Sequence, residues 1–200
     1  DLRMSRGLGD VYKRQVQNSI DPSLLQYEGR NYLVWGSFRG IYVIELTADG
    51  LSIMSGAKKK RIAGTAFEAV YIHKHGDYYY MFASIGSCCQ GVKSTYKVVV
   101  GRSKKVWGPY KDKTGKPMLK NGYSLVIGAN DHFVGNGHGS QIIQDDAGQD
   151  WLLYHGFSRS TPENGRILLL DQIKWDQEGW PYVEGGSPSY ETQKAPVFNN

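Results

Sequence analysis

Apolar and aromatic residues in this chain come in short runs, each closed by a polar turn that carries glycine. Ser23-Leu24-Leu25-Gln26-Tyr27 is the first such run, and Glu28-Gly29-Arg30-Asn31 is its turn. Tyr32-Leu33-Val34-Trp35-Gly36-Ser37-Phe38 and Gly40-Ile41-Tyr42-Val43-Ile44-Glu45-Leu46 follow. Thr47-Ala48-Asp49-Gly50 then turns into Leu51-Ser52-Ile53, the expected start of a fourth run. Short runs bounded by turn residues predict strands, because glycine takes the positive φ of a tight hairpin without steric cost. Four of them predict one antiparallel sheet.

The layout recurs. Asp21 lies eight residues before Gly29, eleven before Tyr32 and sixteen before Ser37. Glu68 stands at the same distances from Gly76, Tyr79 and Ser84, in the stretch Phe67-Glu68-Ala69-Val70-Tyr71-Ile72. A third copy starts at His138, with Gly139-Ser140-Gln141-Ile142-Ile143 as its first strand and Trp151 to Gly156 as its second. The second copy is expected to continue through Tyr96 to Ser103 and on to Gly108-Pro109-Tyr110, the third through Arg166 to Trp175 and on to Gly179-Trp180-Pro181-Tyr182. Long inserts at 86–95 and 114–137 make the spacing unequal. Four-stranded repeats of this size predict an all-β fold built of β-propeller blades, with a run of hairpins in a β-sandwich as the alternative. The innermost strand of a propeller blade lines the central axis. Asp21, Glu68 and His138, at one repeat position, are therefore expected to converge on a shared pocket, as active-site groups do.

Composition adds limits. Two hundred residues with 40% apolar and 22% charged content suit one globular domain, and 25 Gly with 14 Tyr lean toward strands and turns. No apolar run approaches the roughly 18 residues of a membrane span. The net charge of +5 is mild and, apart from Lys58-Lys59-Lys60-Arg61, read as a solvated loop, scattered, so nucleic-acid binding is not favoured. Cys88 and Cys89 are adjacent and make neither a disulfide framework nor a CxxC motif. A bond between neighbours is strained, so two reduced, packed thiols are expected. Residues 1–15 have no hydrophobic periodicity and no signal-peptide core. Asp10-Val11-Tyr12-Lys13-Arg14-Gln15 reads as the translation of a transposon-end adapter used in sequencing libraries. The expected division is thus a non-native segment at 1–15 and a partial domain at 16–200.

Two carboxylates near an axis point to proton chemistry on a neutral polymer. Glycoside hydrolysis needs a carboxylic acid to protonate the leaving oxygen. Phe67, Ala69 and Val70 give Glu68 an apolar setting that favours the neutral acid. The wealth of aromatics suits a sugar-binding cleft, although Tyr78-Tyr79-Tyr80 is expected mostly to pack within sheets.

Asn18-Ser19-Ile20-Asp21-Pro22, Gly36-Ser37-Phe38, Phe67-Glu68-Ala69, Cys88-Cys89-Gln90-Gly91, Val100-Gly101-Arg102-Ser103, Gly137-His138-Gly139-Ser140 and Tyr154-His155 carry a resemblance. Together they resemble glycoside hydrolase family 43, the five-bladed propeller hydrolases, and within it the endo-1,5-α-L-arabinanases. The resemblance implies about three C-terminal blades and an inverting mechanism on arabinan. It makes Glu68 the general acid and Asp21 the acid that tunes and orients it. Asn18, Ser19, Ile20, Ser37 and Phe38 become substrate contacts. His138 becomes the axial histidine beside a bound calcium (Ca2+), a role chemistry alone would not suggest, since calcium prefers oxygen ligands. The general base, an Asp of the first blade, falls before Val16, so the 200-residue chain alone is expected to be inactive. The resemblance also implies a secreted or periplasmic protein, monomeric when full length, with no membrane span. Two departures stand out: Val70 where proline is common, and Arg39 where many members carry an aromatic. An exo-acting α-L-arabinofuranosidase or β-xylosidase, and a non-catalytic sugar-binding propeller, remain the competing readings.

A genomic read across the codons of residues 10–15 tests the adapter reading. Divergence from the adapter string is expected there, and an intact match in genomic DNA overturns it.

Overall fold

Three antiparallel sheets account for the strands of the computed structural model, which describes residues 18–199. The segment 1–15 and its boundary at 16 lie outside the described residues. The first sheet runs β1 (Ser23–Tyr27), β2 (Arg30–Trp35), β3 (Ile41–Glu45), β4 (Lys60–Ala63). The second runs β5 (Glu68–His75), β6 (Tyr78–Ile85), β7 (Lys97–Ser103), β8 (Ser124–Ile127). In the third, β9 (Phe133–Gly137) and β10 (Ile143–Gln144) both pair with β11 (Asp150–Ser158), followed by β12 (Arg166–Trp175) and β13 (Pro181–Tyr182). The fold is all-β, and each of the three sequence repeats is a sheet.

The middle sheet is buried on both faces, which is why Tyr80-Met81-Phe82 reads as an unbroken apolar run. Side chains alternate across a strand. Met81, Ala83 and Val99 accordingly pack with Val34, Val43 and Ile62 of the first sheet. Tyr80, Phe82, Val98 and Val100 pack with Leu152, Tyr154 and Ile173 of the third. Each side chain buried this way contributes about 1.5–3 kcal/mol. The tyrosine run is structural: Tyr79 sits against Tyr27, and Tyr78 lies under the Arg102 guanidinium at 4.3 Å. Tyr79 is five residues along β6 from Ser84, or about 16 Å of strand, so it is far from Glu68, which pairs with Ser84.

Several expectations are corrected. The outermost strand of the first sheet is β4, not 51–53; Leu51 is exposed, and Ile53 makes only an isolated bridge to Leu46. Lys60 and Arg61, read as loop, open this edge strand with their side chains exposed, while Ile62 and Ala63 turn inward. Lysine on an edge discourages pairing with further strands. The outer strand of the second sheet is β8, drawn from inside the 114–137 insert rather than from Gly108-Pro109-Tyr110. In the third sheet the inner strand breaks between β9 and β10, where His138 takes a φ of 53°. Cys88 and Cys89 are joined to each other, not reduced. The chain bends across Cys88, Cys89 and Gln90, which brings the two sulfurs to one side.

The repeat register also shifts by one residue. Tyr27 pairs with Arg30 across Glu28-Gly29, and His75 pairs with Tyr78 across Gly76-Asp77. The ladders therefore align at an offset of 48, whereas the glycines align at 47. Both turn residues of the first hairpin have positive φ, the geometry of a type I′ turn; in the second only Gly76 does, as in type II′. Glycine thus occupies different turn positions in the two hairpins. A bulge lies between Glu68 and Tyr71, with Ala69 at φ 50°, and the offset of 48 persists beyond it, since Gly36 N–H meets the Ile20 carbonyl as Ser84 pairs with Glu68. Asp21, Ala69 and His138, all in the left-handed region, are the structural equivalents, and Glu68 stands one residue earlier.

Leu152 is fully buried between the second and third sheets. Leu152→Ala is expected to cost about 2–5 kcal/mol of stability, read as a fall in the urea midpoint; an unchanged midpoint contradicts this packing.

Candidate active site

The bulge at Ala69 turns its backbone N–H toward the first sheet, where it donates to Asp21 Oδ2 at 3.0 Å. The same link is reinforced by the Phe38 N–H, which donates to the Phe67 carbonyl at 2.9 Å. Between these two bonds the Ser37 hydroxyl donates to Glu68 Oε2 at 2.8 Å. Glu68 is 9% exposed, so this carboxyl is buried beside a hydroxyl that orients it. A side-chain hydrogen bond contributes about 0.5–1.5 kcal/mol net. The site thus combines a positioned carboxyl with a backbone pinned by a second carboxylate.

The third sheet joins through β6. Ser84, fully buried and opposite Glu68, accepts from the His138 backbone N–H at 2.8 Å. The His138 imidazole is half exposed, with Nε2 at 3.9 Å from Asp21 Oδ1. Tyr96 lies beneath: a Cβ at Gly137 would meet its ring at 2.3 Å, so only glycine fits there. No partner stands in hydrogen-bond geometry with the Tyr96 hydroxyl among the described residues. Burial first, and then the nearby Glu68 carboxylate, push that phenol well above the usual range, so it stays protonated. His155 stacks near Tyr96 and His138, with ring centroids 5.8 and 6.3 Å away.

Asp21, Ala69 and His138 line one cavity of about 250 Å³, with Pro22 and Ser140 among its other walls. Of the expected trio, Asp21 and His138 line this cavity; Glu68 does not, and Ala69 stands on the wall in its place. The Glu68 carboxyl sits on the Ser37 side. Of the five expected substrate contacts, Ser37 joins the Glu68 cluster directly. Phe38 stands 44% exposed next to it. Asn18 donates its side-chain amide to the Gly40 carbonyl at 3.1 Å, and so braces the loop. Ser19 and Ile20 line a separate apolar cavity of about 190 Å³ with Trp35, Ile44 and Ile53. Ser84, Tyr96 and His155 escaped the sequence reading as site residues. Ser84 served there as a register marker, Tyr96 as the start of a strand run and His155 as part of the Tyr154-His155 resemblance, none with a role at the site.

Calcium takes six to eight oxygens. The groups that meet at His138 are one imidazole and one Asp21 oxygen, and the other Asp21 oxygen already accepts from Ala69. This donor set does not by itself fit calcium, and no chemical step is derived through a metal.

The sequence pattern of the glycosyl hydrolases family 43 matches residues 7–181. The chain belongs to this family. It is 40% identical over 190 residues to the extracellular exo-α-(1→5)-L-arabinofuranosidase ArbA of Cellvibrio japonicus, covering 87% of this chain and 54% of that protein. It is 36% identical over 171 residues to the extracellular endo-α-(1→5)-L-arabinanase 1 of Bacillus subtilis, covering 82% and 50%. The chain spans about half the length of these relatives. Among solved structures, the α-L-arabinanase of Cellvibrio cellulosa in complex with arabinohexaose superposes with a TM-score of 0.79 at 36% identity, over 87% of this chain and 60% of that one.

Burial first, then the positive charges of Arg166 and His138, pull the His155 pKa down to about 4. An unfolded-chain imidazole titrates near about 6.5. Between those values the unfolded chain binds the extra proton, so this contribution is whole above about 6.5 and drains as pH falls toward 4. His155→Gln is expected to flatten the melting temperature across that window; parallel wild-type and variant profiles contradict the assignment.

Proposed function

We propose that this chain is the acid-bearing part of an enzyme that hydrolyses α-1,5-linked L-arabinan. The observation that carries the reading is the Glu68 carboxyl, buried and hydrogen-bonded to Ser37, on a strand whose start is held by Asp21. Glu68 donates its proton to the glycosidic oxygen as the bond to the anomeric carbon breaks. A water, deprotonated by a base Asp outside this chain, adds to the opposite face and inverts the carbon. In an inverting pair the two carboxyl groups stand roughly 6.5–9.5 Å apart. Asp21 is a positioning residue: its oxygens face Ala69 N–H and His138, so it fixes the strand that presents Glu68.

Family membership and the names of the relatives support the arabinan substrate. The three sheets are read as three blades of a five-bladed propeller, monomeric at full length. Ile20 and Phe38, both exposed, offer apolar faces to the sugar rings, with Asn18 and Ser19 beside them. Calcium beside His138 would need most of its oxygens from water and from residues outside this chain. Secretion is proposed because both relatives are named extracellular. Endo action is the primary reading; the exo-arabinofuranosidase name of the Cellvibrio japonicus relative keeps exo action as the second.

The test is linear 1,5-α-arabinan incubated with a full-length protein carrying this chain. Mixed oligosaccharides are expected for endo action and arabinose alone for exo action. Glu68→Gln is expected to lower kcat by roughly 10²–10⁴ with KM little changed. Saturable arabinan binding without any hydrolysis would establish a sugar-binding protein instead, and full activity of Glu68→Gln would remove Glu68 from the acid role.

A further inference from the structure

At the far end of β5 from Glu68, a second set of ionisable groups comes together. His73 and His75 are two residues apart on the strand, so their side chains leave the same face of the sheet. Asp150, the first residue of β11, meets them from the third sheet. One ligand atom from each of the three lies within 4.8 Å of the other two. His75 Nδ1 is 3.8 Å from Asp150 Oδ2.

The surroundings hold these groups in place. Asp150 is 5% exposed, and its carboxylate accepts from Trp175 Nε1 at 2.8 Å and from Gln144 Nε2 at 3.2 Å. The Trp175 ring stacks on His75 with centroids 3.7 Å apart and planes 7° apart, and lies 18° from the plane of His73 at 6.1 Å. Among the described residues, no hydrogen bond reaches a ring nitrogen of His73 or His75. Both imidazoles are partly exposed, so their nitrogens are open to a metal ion.

Two imidazole nitrogens and a carboxylate oxygen, with the carboxylate oriented by outer hydrogen bonds, are a donor set for a transition-metal dication. We propose that His73, His75 and Asp150 bind zinc, with a fourth position left to water, and that the ion clamps the second sheet to the third. Zinc bonds of about 2.0 Å place tetrahedral ligands roughly 3.3 Å apart. The His75 to Asp150 spacing of 3.8 Å is close to that value, and zinc uptake requires the three ligand atoms to draw together. The proposal is independent of the arabinan reading, because none of its residues touches the Glu68 cluster.

Calorimetric titration of a full-length protein carrying this chain with zinc chloride is expected to show one ion bound per chain, uncompeted by calcium. Cobalt in place of zinc is expected to give the visible absorption of a four-coordinate site. His73→Gln and His75→Gln should each weaken zinc binding by more than the roughly tenfold to hundredfold that loss of an outer-shell partner costs, and abolish the zinc-dependent rise in melting temperature. His138→Gln should leave zinc binding unchanged. A wild-type chain that takes up no zinc overturns the proposal. Binding that survives both His73→Gln and His75→Gln, or that disappears with His138→Gln, overturns it as well. If a variant does not fold, the wild-type titration and the cobalt spectrum decide the question.

Discussion

The bond from the Ala69 N–H to Asp21 Oδ2 is the constraint on which the site depends. It crosses from the second sheet to the first at the point where β5 begins. A left-handed residue is needed on both sides, Asp21 at φ 52° and Ala69 at φ 50°. Without the bulge, strand geometry would turn the Ala69 N–H into the ladder and away from the neighbouring sheet. With it, the backbone beside Glu68 is held, and the carboxyl meets Ser37 and lies near the Tyr96 phenol. A fixed backbone beside a buried side chain leaves the Glu68 carboxyl little freedom to move.

The middle sheet transmits this constraint. Its two buried faces couple it to both neighbours, and alternation along β6 and β7 divides their side chains between two cores. Ser84 belongs to the same strand as these core residues and binds His138 of the third sheet. The three sheets therefore meet at the Glu68 end through hydrogen bonds linking β5 and β6 to Asp21 and His138. At the other end of β5, roughly 23 Å of strand away, His73 and His75 face Asp150 and Trp175. One strand thus carries the buried Glu68 carboxyl at its start and the His73, His75 and Asp150 cluster at its end, both at sheet-to-sheet contacts.

How much of this was legible from residues depends on the range of the interaction involved. Hairpins were readable, since a two-residue turn and its flanking strands are local. The shared pocket of Asp21 and His138 was readable through the repeat. The step from repeat to register failed by one residue because it relied on Gly29 and Gly76, which sit at different positions of different turn types. Tyr96 and His155 could not be recognised, because their role comes from packing against Gly137 and each other across two sheets.

The sequence by itself determined the strand-forming runs and the three repeats, since each depends on neighbouring residues and on side-chain chemistry. Only the tertiary structure decided which segments close the sheets. Lys60–Ala63 and Ser124–Ile127 are too short and too polar at one end to stand out, and they become strands by pairing with a preformed edge. Tertiary structure likewise decided that Cys88 and Cys89 bond to each other and that His73 and His75 meet Asp150. Those outcomes depend on where the backbone bends and which sheets pack together, and neither is encoded in any short stretch of residues.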